Sequence, residues 1–243
     1  VRLLTPTVYA IVRRTLPRVA PRRAAGRGGI GYNAHMDPGN APERAFTAAE
    51  ATAMDAWLVE TRGFTIPQLM AAAGARLADA ARELAAARGC SRVSFLVGPG
   101  NNGGDALVAE SALRSELATE IWRPLGGGAA PTLGAETLLV DGLFGVGLAR
   151  PIEGGARAAV DRVNGSDAVV LAVDIPSGLC ATTGEVMGGC ALRADLTLTF
   201  VGPKRGFFLG AGPGLVGRWT SVEIGFPAEE AWGWLAARRG ADG

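Results

Sequence analysis

The stretch that decides the fold is Val93-Ser-Phe-Leu-Val97 followed by Gly98-Pro-Gly-Asn-Asn-Gly-Gly-Asp105 and the run to Leu113. It reads as a short apolar strand, a glycine-rich loop and a helix over 105–113, the opening unit of a parallel α/β sheet. Glycines let the backbone adopt positive φ and approach a ligand closely. The helix that follows directs backbone N–H groups outward, an arrangement that favours phosphate.

Downstream the pattern repeats. Ala118–Trp122 is a weak second strand, and 125–134 is a glycine- and proline-containing loop. Thr137–Val140 is a strand ending at Asp141, and Ala156–Val163 is a helix. Ala168–Val173 is a continuous apolar strand of the kind buried on both faces, ending at Asp174. Leu196-Thr-Leu-Thr-Phe200 alternates, which predicts one less buried face, and Arg218–Ile224 closes the series. Upstream, Thr47-Ala-Ala-Glu50 and Thr65-Ile-Pro-Gln68 are capping boxes, with Gly63 and Gly89 as the stops. The stripe Ile66, Leu69, Met70, Ala73, Leu77, Ala81, Leu84 predicts a scaffold helix with this face in the core. The expected architecture is a single-domain, three-layer α/β/α sandwich, Rossmann-like, with a mostly parallel sheet.

Composition narrows the chemistry. The chain of 243 residues carries 24 basic and 23 acidic groups, a balance that gives no electrostatic reason to expect nucleic acid. His35 is the single histidine, which argues against a Ser-His-Asp triad or a histidine-rich metal site. Cys90, Cys180 and Cys190 lack C-x-x-C spacing and suit a reducing compartment, hence a cytoplasmic expectation. No apolar run is long enough to span a bilayer. Residues 1–36 hold seven arginines and no acid. They read as a leader or non-native extension ahead of Met36, or as an organelle-targeting segment, with the domain occupying 37–243.

In open parallel sheets ligands bind beyond the carboxyl ends of the strands. Three polar clusters stand at such ends: Gly98–Asp105, Asp141–Pro151 and Asp174–Gly178, with the loop carrying Lys204 as a fourth candidate. Gly98, Gly100 and Gly103 satisfy G-x-G-x-x-G, with Glu120 near the place of a ribose-binding acid, so a nicotinamide dehydrogenase is a competing reading. Against it, Glu120 precedes most of its strand's apolar residues instead of ending them. Asn102, Asp141 and Ser177 offer an amide oxygen, one carboxylate and a hydroxyl, a donor set that suits a hard, low-charge cation better than zinc. Asp174, at the end of a buried strand, is the candidate acid/base group. Plain turn aspartates at 141 and 174, a solvated arginine at 150 and a solvated lysine at 204 stay open as alternatives.

GPGNNGGD at 98–105, VDGLFGVGLARPI at 140–152 and AVDIPSGL at 172–179 together resemble the signatures of the NAD(P)H-hydrate epimerases, the YjeF N-terminal domain family, in that family's order. ADLTLTFVGPKRG at 194–206 and VEIGFP at 222–227 fit as well. The resemblance implies an isomerase that interconverts the R and S epimers of hydrated NADH and NADPH. It implies one potassium ion per subunit, held by Asn102, Asp141 and Ser177, and a homodimer. It also implies a dehydratase that completes the repair, supplied here by a separate chain. By the same resemblance the substrate is bound by Asn101, Asn102, Gly103, Gly104 and Asp105, by the loop Gly145, Val146, Gly147, Leu148, Ala149, Arg150 and Pro151, and by Asp174. Asp174 and Lys204 are the candidate catalytic pair. A non-catalytic scaffold of the same fold is the alternative. The stretch between Asp105 and Asp141 is shorter than the family usually has, and Leu69-Met-Ala-Ala-Ala-Gly74 lacks the family's glutamate after the methionine.

Overall fold

The computed structural model describes residues 42–241; the 1–36 segment lies outside the described residues. In chain order the described elements are α1 (Ala48–Arg62), α2 (Ile66–Arg88), β1 (Arg92–Val97), α3 (Asn101–Leu113), β2 (Ala118–Trp122), β3 (Thr137–Gly142), α4 (Gly154–Asn164), β4 (Val169–Val173), β5 (Leu196–Phe200), the one-turn α5 (Gly212–Leu215), β6 (Arg218–Val222) and α6 (Ala228–Ala241). All six strands pair parallel, in the order β2-β1-β3-β4-β5-β6.

That order reverses direction between β1 and β3, which makes the carboxyl ends of these two strands a topological switch point. Both capping boxes form. Thr47 Oγ1 accepts from the Glu50 N–H at 3.1 Å and Glu50 Oε2 from the Thr47 N–H at 2.7 Å; Thr65 and Gln68 do the same for α2. Gly63 and Gly89 end the helices in the left-handed conformation, at φ 73° and 69°.

One face of the sheet is covered by α2 and α3, where Leu77, Leu84 and Leu113 pack on Phe95, Val140, Leu171 and Leu198. The other carries α4, whose Ala156, Val160 and Val163 meet Leu96, Leu139 and Val170. At about 25 cal/mol per Å2 of apolar surface, these two layers are the main source of stability. A third cluster joins α1 and α6 over the β5–β6 end: Phe46, Met54, Leu58, Ile224, Phe226, Ala231 and Leu235. Trp232 of α6 stacks on Phe46 with ring centroids 4.9 Å apart, and Arg239 ties α6 to Glu50 of α1 at 2.7 Å.

Two expectations are corrected. The alternation in β5 does not mark a wetter face, because Thr197 and Thr199 are fully buried. Their hydroxyls are satisfied by the Val216 carbonyl at 2.8 Å and by Asp174 at 3.0 Å, so they behave as core residues. The helix after the glycine-rich loop begins at Asn101, not Asp105, so the Asn-Asn-Gly-Gly run is its first turn.

Candidate active site

Gly98 and Gly103 let the β1–α3 connection fold tightly at the switch point. A Cβ on Gly103 would stand 2.1 Å from the Gly98 carbonyl oxygen, and one on Gly98 would stand 1.7 Å from that of Leu143. These contacts are backbone against backbone and cannot be relieved by a side-chain rotation. They bring α3's first turn against the β3 end. There the Asn102 amide nitrogen donates to the carbonyls of Val173 at 2.6 Å and Phe144 at 3.3 Å, spanning two strand ends.

Asp141, wholly buried at the end of β3, accepts from Ser177 Oγ at 2.6 Å, from the Ser177 N–H at 2.8 Å and from the Leu143 N–H at 3.2 Å. Burial pushes its carboxyl up to about 6, against the lowering effect of those three hydrogen bonds. Ser177 Oγ also accepts from the Phe144 N–H at 2.8 Å. Asn102, Asp141 and Ser177 therefore meet at one spot, closed by two backbone carbonyls. With the Asn102 amide rotated, its oxygen, the Asp141 carboxylate, the Ser177 hydroxyl and the Phe144 and Val173 carbonyls form a donor set with a single carboxylate, of a chemistry that fits potassium. Among the described residues no three His, Cys, Asp or Glu side chains come together as a metal site.

Asp174 follows β4 with φ 63°; it and Val201 (φ 65°) are the non-glycine residues at positive φ among those described. The conformation costs about 1–2 kcal/mol and persists because contacts over-determine it. The Asp174 N–H donates to the Leu198 carbonyl at 2.8 Å. Its Oδ1 accepts from Thr199 Oγ1 at 3.0 Å, from the Phe200 N–H at 3.1 Å and from the Lys204 ammonium in a short ion pair. Among the described residues Oδ2 has no such partner. Lys204, 3% exposed, also donates to Thr199 Oγ1 at 2.8 Å and to the Gly202 carbonyl at 3.2 Å. Its backbone is fixed from the other side. Phe46 donates its N–H to the Pro203 carbonyl at 2.9 Å and accepts the Arg205 N–H at 2.8 Å. The solvated-lysine alternative is thereby removed.

Asp174 and Lys204 open into a small cleft of about 120 Å3, also lined by Asn101, Asn102, Asp105 and Val146. Burial, then the charges of Asp174 and Asp55, push Asp105 up to about 8. Gly103 is buried and Gly104 half-buried in α3; Gly145 abuts the Asn102 amide, and none of these three lines the cleft. Gly147, Ala149, Arg150 and Pro151 lie exposed beside it, while Leu148 packs toward α4. Glu120, the acid of the dehydrogenase reading, accepts from Ser94 Oγ at 2.6 Å on neighbouring strands.

Two features escape the sequence reading. The start of the α2 stripe serves the cleft as well as the core: Ile66, Leu69, Met70 and Ala73 line the cleft, Leu69 and Ala73 are also buried in the core, and Ile66 is exposed. Asp55 of α1 lines it too. The available signal was spacing: Ala51, Met54, Asp55 and Leu58 share the helix's inward face, and one of the four is an acid. Asp55 is exposed by area, yet the surrounding protein desolvates its carboxyl. That burial, with the Asp174 charge adding and Lys204 opposing, pushes it up to about 6.

A buried Asp–Lys pair and an oxygen-lined spot at the switch point of a parallel sheet define a small-molecule site of the α/β type. The sequence profile of the YjeF-related protein N-terminus family matches residues 67–124 and 123–206, and the chain belongs to that family. The profile breaks at 123–124, where Pro124–Gly126 forms a single 3-10 turn after β2 in the shortened stretch. The chain is 38% identical over 203 residues to the Bifunctional NAD(P)H-hydrate repair enzyme Nnr of Gloeobacter violaceus, covering 74% of this chain but only 39% of that protein. It is 41% identical over 161 residues to an NAD(P)H-hydrate epimerase of Bordetella pertussis, 55% of this chain and 69% of that one. It is 32% identical over 200 residues to an NAD(P)H-hydrate epimerase of Limosilactobacillus fermentum, 72% of this chain and 94% of that one. The crystal structure of the yeast protein YNL200c shares the fold, with a TM-score of 0.55 at 18% identity, over 78% of this chain and 93% of that one. Among the described residues no helix is long and apolar enough to cross a membrane.

Proposed function

We propose that the protein is an NAD(P)H-hydrate epimerase, an isomerase that interconverts the R and S forms of hydrated NADH and NADPH for cofactor repair. The observation that carries this reading is the meeting at one cleft, in a chain of this family, of residues from three separate strand-end segments: Asn101, Asn102 and Asp105 of α3, Val146 from the loop after β3, and Asp174 with Lys204. The hydrated ring enters between the apolar first turn of α2 and the polar strand ends. Its pyrophosphate lies toward the amino end of α3 and Arg150, away from the carboxylates of Asp55 and Asp174.

In the cleft, Asp174 is the acid/base group at the C6 hydroxyl. Oδ1 is held by three donors, which leaves Oδ2 to exchange the proton. Lys204 and Thr199 orient the carboxylate. Such a step typically contributes 10²–10⁴-fold. Asn102, Asp141 and Ser177 would hold potassium, which would supply a positive charge against the buried Asp141 carboxylate. The assembly is a homodimer, and a dehydratase acts on the epimer produced, as the name of the bifunctional relative suggests for that protein. The test is chromatography of purified S or R hydrated NADH incubated with the protein, with potassium or with sodium alone. Rapid equilibration, faster with potassium, supports the reading; no change over the uncatalysed rate refutes it.

A further inference from the structure

The cleft has two unlike walls. The strand-end wall carries Asn102, Asp105, Asp174 and Lys204, whereas the wall built by α1 and α2 is Ala51, Met54, Ile66, Leu69, Met70 and Ala73, broken by one ionisable group, Asp55. Asp55 makes no hydrogen bond or ion pair among the described residues, so both its oxygens are free toward the cleft. Asp55 is exposed by area, but it stands on the cleft wall among apolar neighbours that partly desolvate its carboxyl. A carboxylate there repels phosphate, so the part of a dinucleotide that can face it is the neutral, donor-rich ring end.

We propose that Asp55 is a second acid/base group of this site, serving the face of the bound ring opposite Asp174. The inference rests on the epimerase reading above. On a route of water loss and re-addition, the hydroxyl departs from one face of C6 and oxygen is added on the other, and one carboxylate on one wall serves only one face. In one direction Asp55 gives its proton to the C6 hydroxyl. The C6–O bond breaks, water leaves with the bonding pair, and the ring-nitrogen lone pair forms the N1=C6 bond. A second water then adds to C6 from the other face, its proton passing to Asp174 as the N1=C6 pair returns to nitrogen. One water is lost and one gained, no electron changes hands, and the proton returns from Asp174 to Asp55 through solvent. In the other direction the two carboxyls exchange roles. Burial and the Asp174 charge place the Asp55 carboxyl where it exchanges protons readily near neutral pH, with Lys204 opposing and Asp105 nearby as the other charged groups of the cleft.

The test uses the full chain and purified single epimers of hydrated NADH in water enriched in oxygen-18, followed by chromatography with mass detection. The wild-type protein is expected to place one solvent oxygen at C6 of each newly formed epimer. Asp55→Asn is expected to lower kcat in both directions by about 10²-fold or more, with KM little changed and Asp55→Glu recovering part of the rate. Wild-type kcat in Asp55→Asn, a change confined to KM, or retention of the original oxygen overturns the proposal while leaving the epimerase reading intact. A wild-type protein that equilibrates no epimer overturns both.

Discussion

Replacing Lys204 with Met should strand a buried carboxylate. The ammonium is 3% exposed and Asp174 12%, so solvent does little to screen either charge. The substitution removes the ion pair, the 2.8 Å hydrogen bond to Thr199 and the 3.2 Å hydrogen bond to the Gly202 carbonyl, while keeping most of the side-chain volume. Breaking one side of such a pair costs about 3–5 kcal/mol, most of it the uncompensated charge left behind. Asp174→Asn alone strands the ammonium in the same way. The double variant Lys204→Met/Asp174→Asn leaves no buried charge, and the new amide still accepts from Thr199 and the Phe200 N–H. Its loss should therefore fall short of the summed single losses by about 1–3 kcal/mol. Urea unfolding of the four proteins, followed by tryptophan fluorescence, measures this cycle. Single losses that add to within ~0.5 kcal/mol would refute the coupled buried pair.

Three further expectations follow from named contacts. The Asp105 carboxyl has an ordinary value of 3.8 and is pushed up to about 8 in the fold, so it binds its proton more tightly folded than unfolded. Its contribution to stability is whole below the unfolded value and is lost as pH rises through the folded one. Asp105→Asn should accordingly gain stability over wild type at about pH 8.5 relative to about pH 5 in thermal melts; a pH-independent difference contradicts the assignment. Gly103→Ala would put its methyl 2.1 Å from a backbone oxygen, so a loss of at least ~1–3 kcal/mol is expected in urea unfolding, and an unchanged midpoint contradicts the packing. Trp232→Ala removes the ring stacked on Phe46 and pressed on Gly202, with a loss of about 3 kcal/mol expected by the same assay; a neutral variant shows α6 to be dispensable.

Much of this was legible in the chain. The capping boxes, the glycine stops and the apolar runs before Asp141 and Asp174 carry local physics, and each stands where its periodicity predicts. The strand-end rule then placed Asn102, Asp141, Asp174 and Lys204 at one edge of the sheet. What local patterns do not carry is which face of a helix meets a cleft. Ile66 and Met70 read as core because a cleft wall and a core wall share one apolar spacing. Asp55 escaped because its importance depends on α1 lying over the β5 end, a tertiary fact. Thr197 and Thr199 looked like solvent-facing residues because a period-2 pattern does not show that a buried acceptor awaits each hydroxyl. The loop 147–151 resembles a substrate segment by sequence, yet it lies beside the cleft and does not line it.

The most direct measurement is the epimerisation rate of Asp174→Asn beside wild type, on the same purified epimer, at saturating potassium. A wild-type protein that equilibrates the epimers and a variant slower by about 10²-fold or more, with dinucleotide binding retained, is the outcome foreseen. A variant as fast as wild type would remove the carboxylate at the end of β4 from the chemistry, and with it the reason for reading this cleft as the place where the reaction occurs.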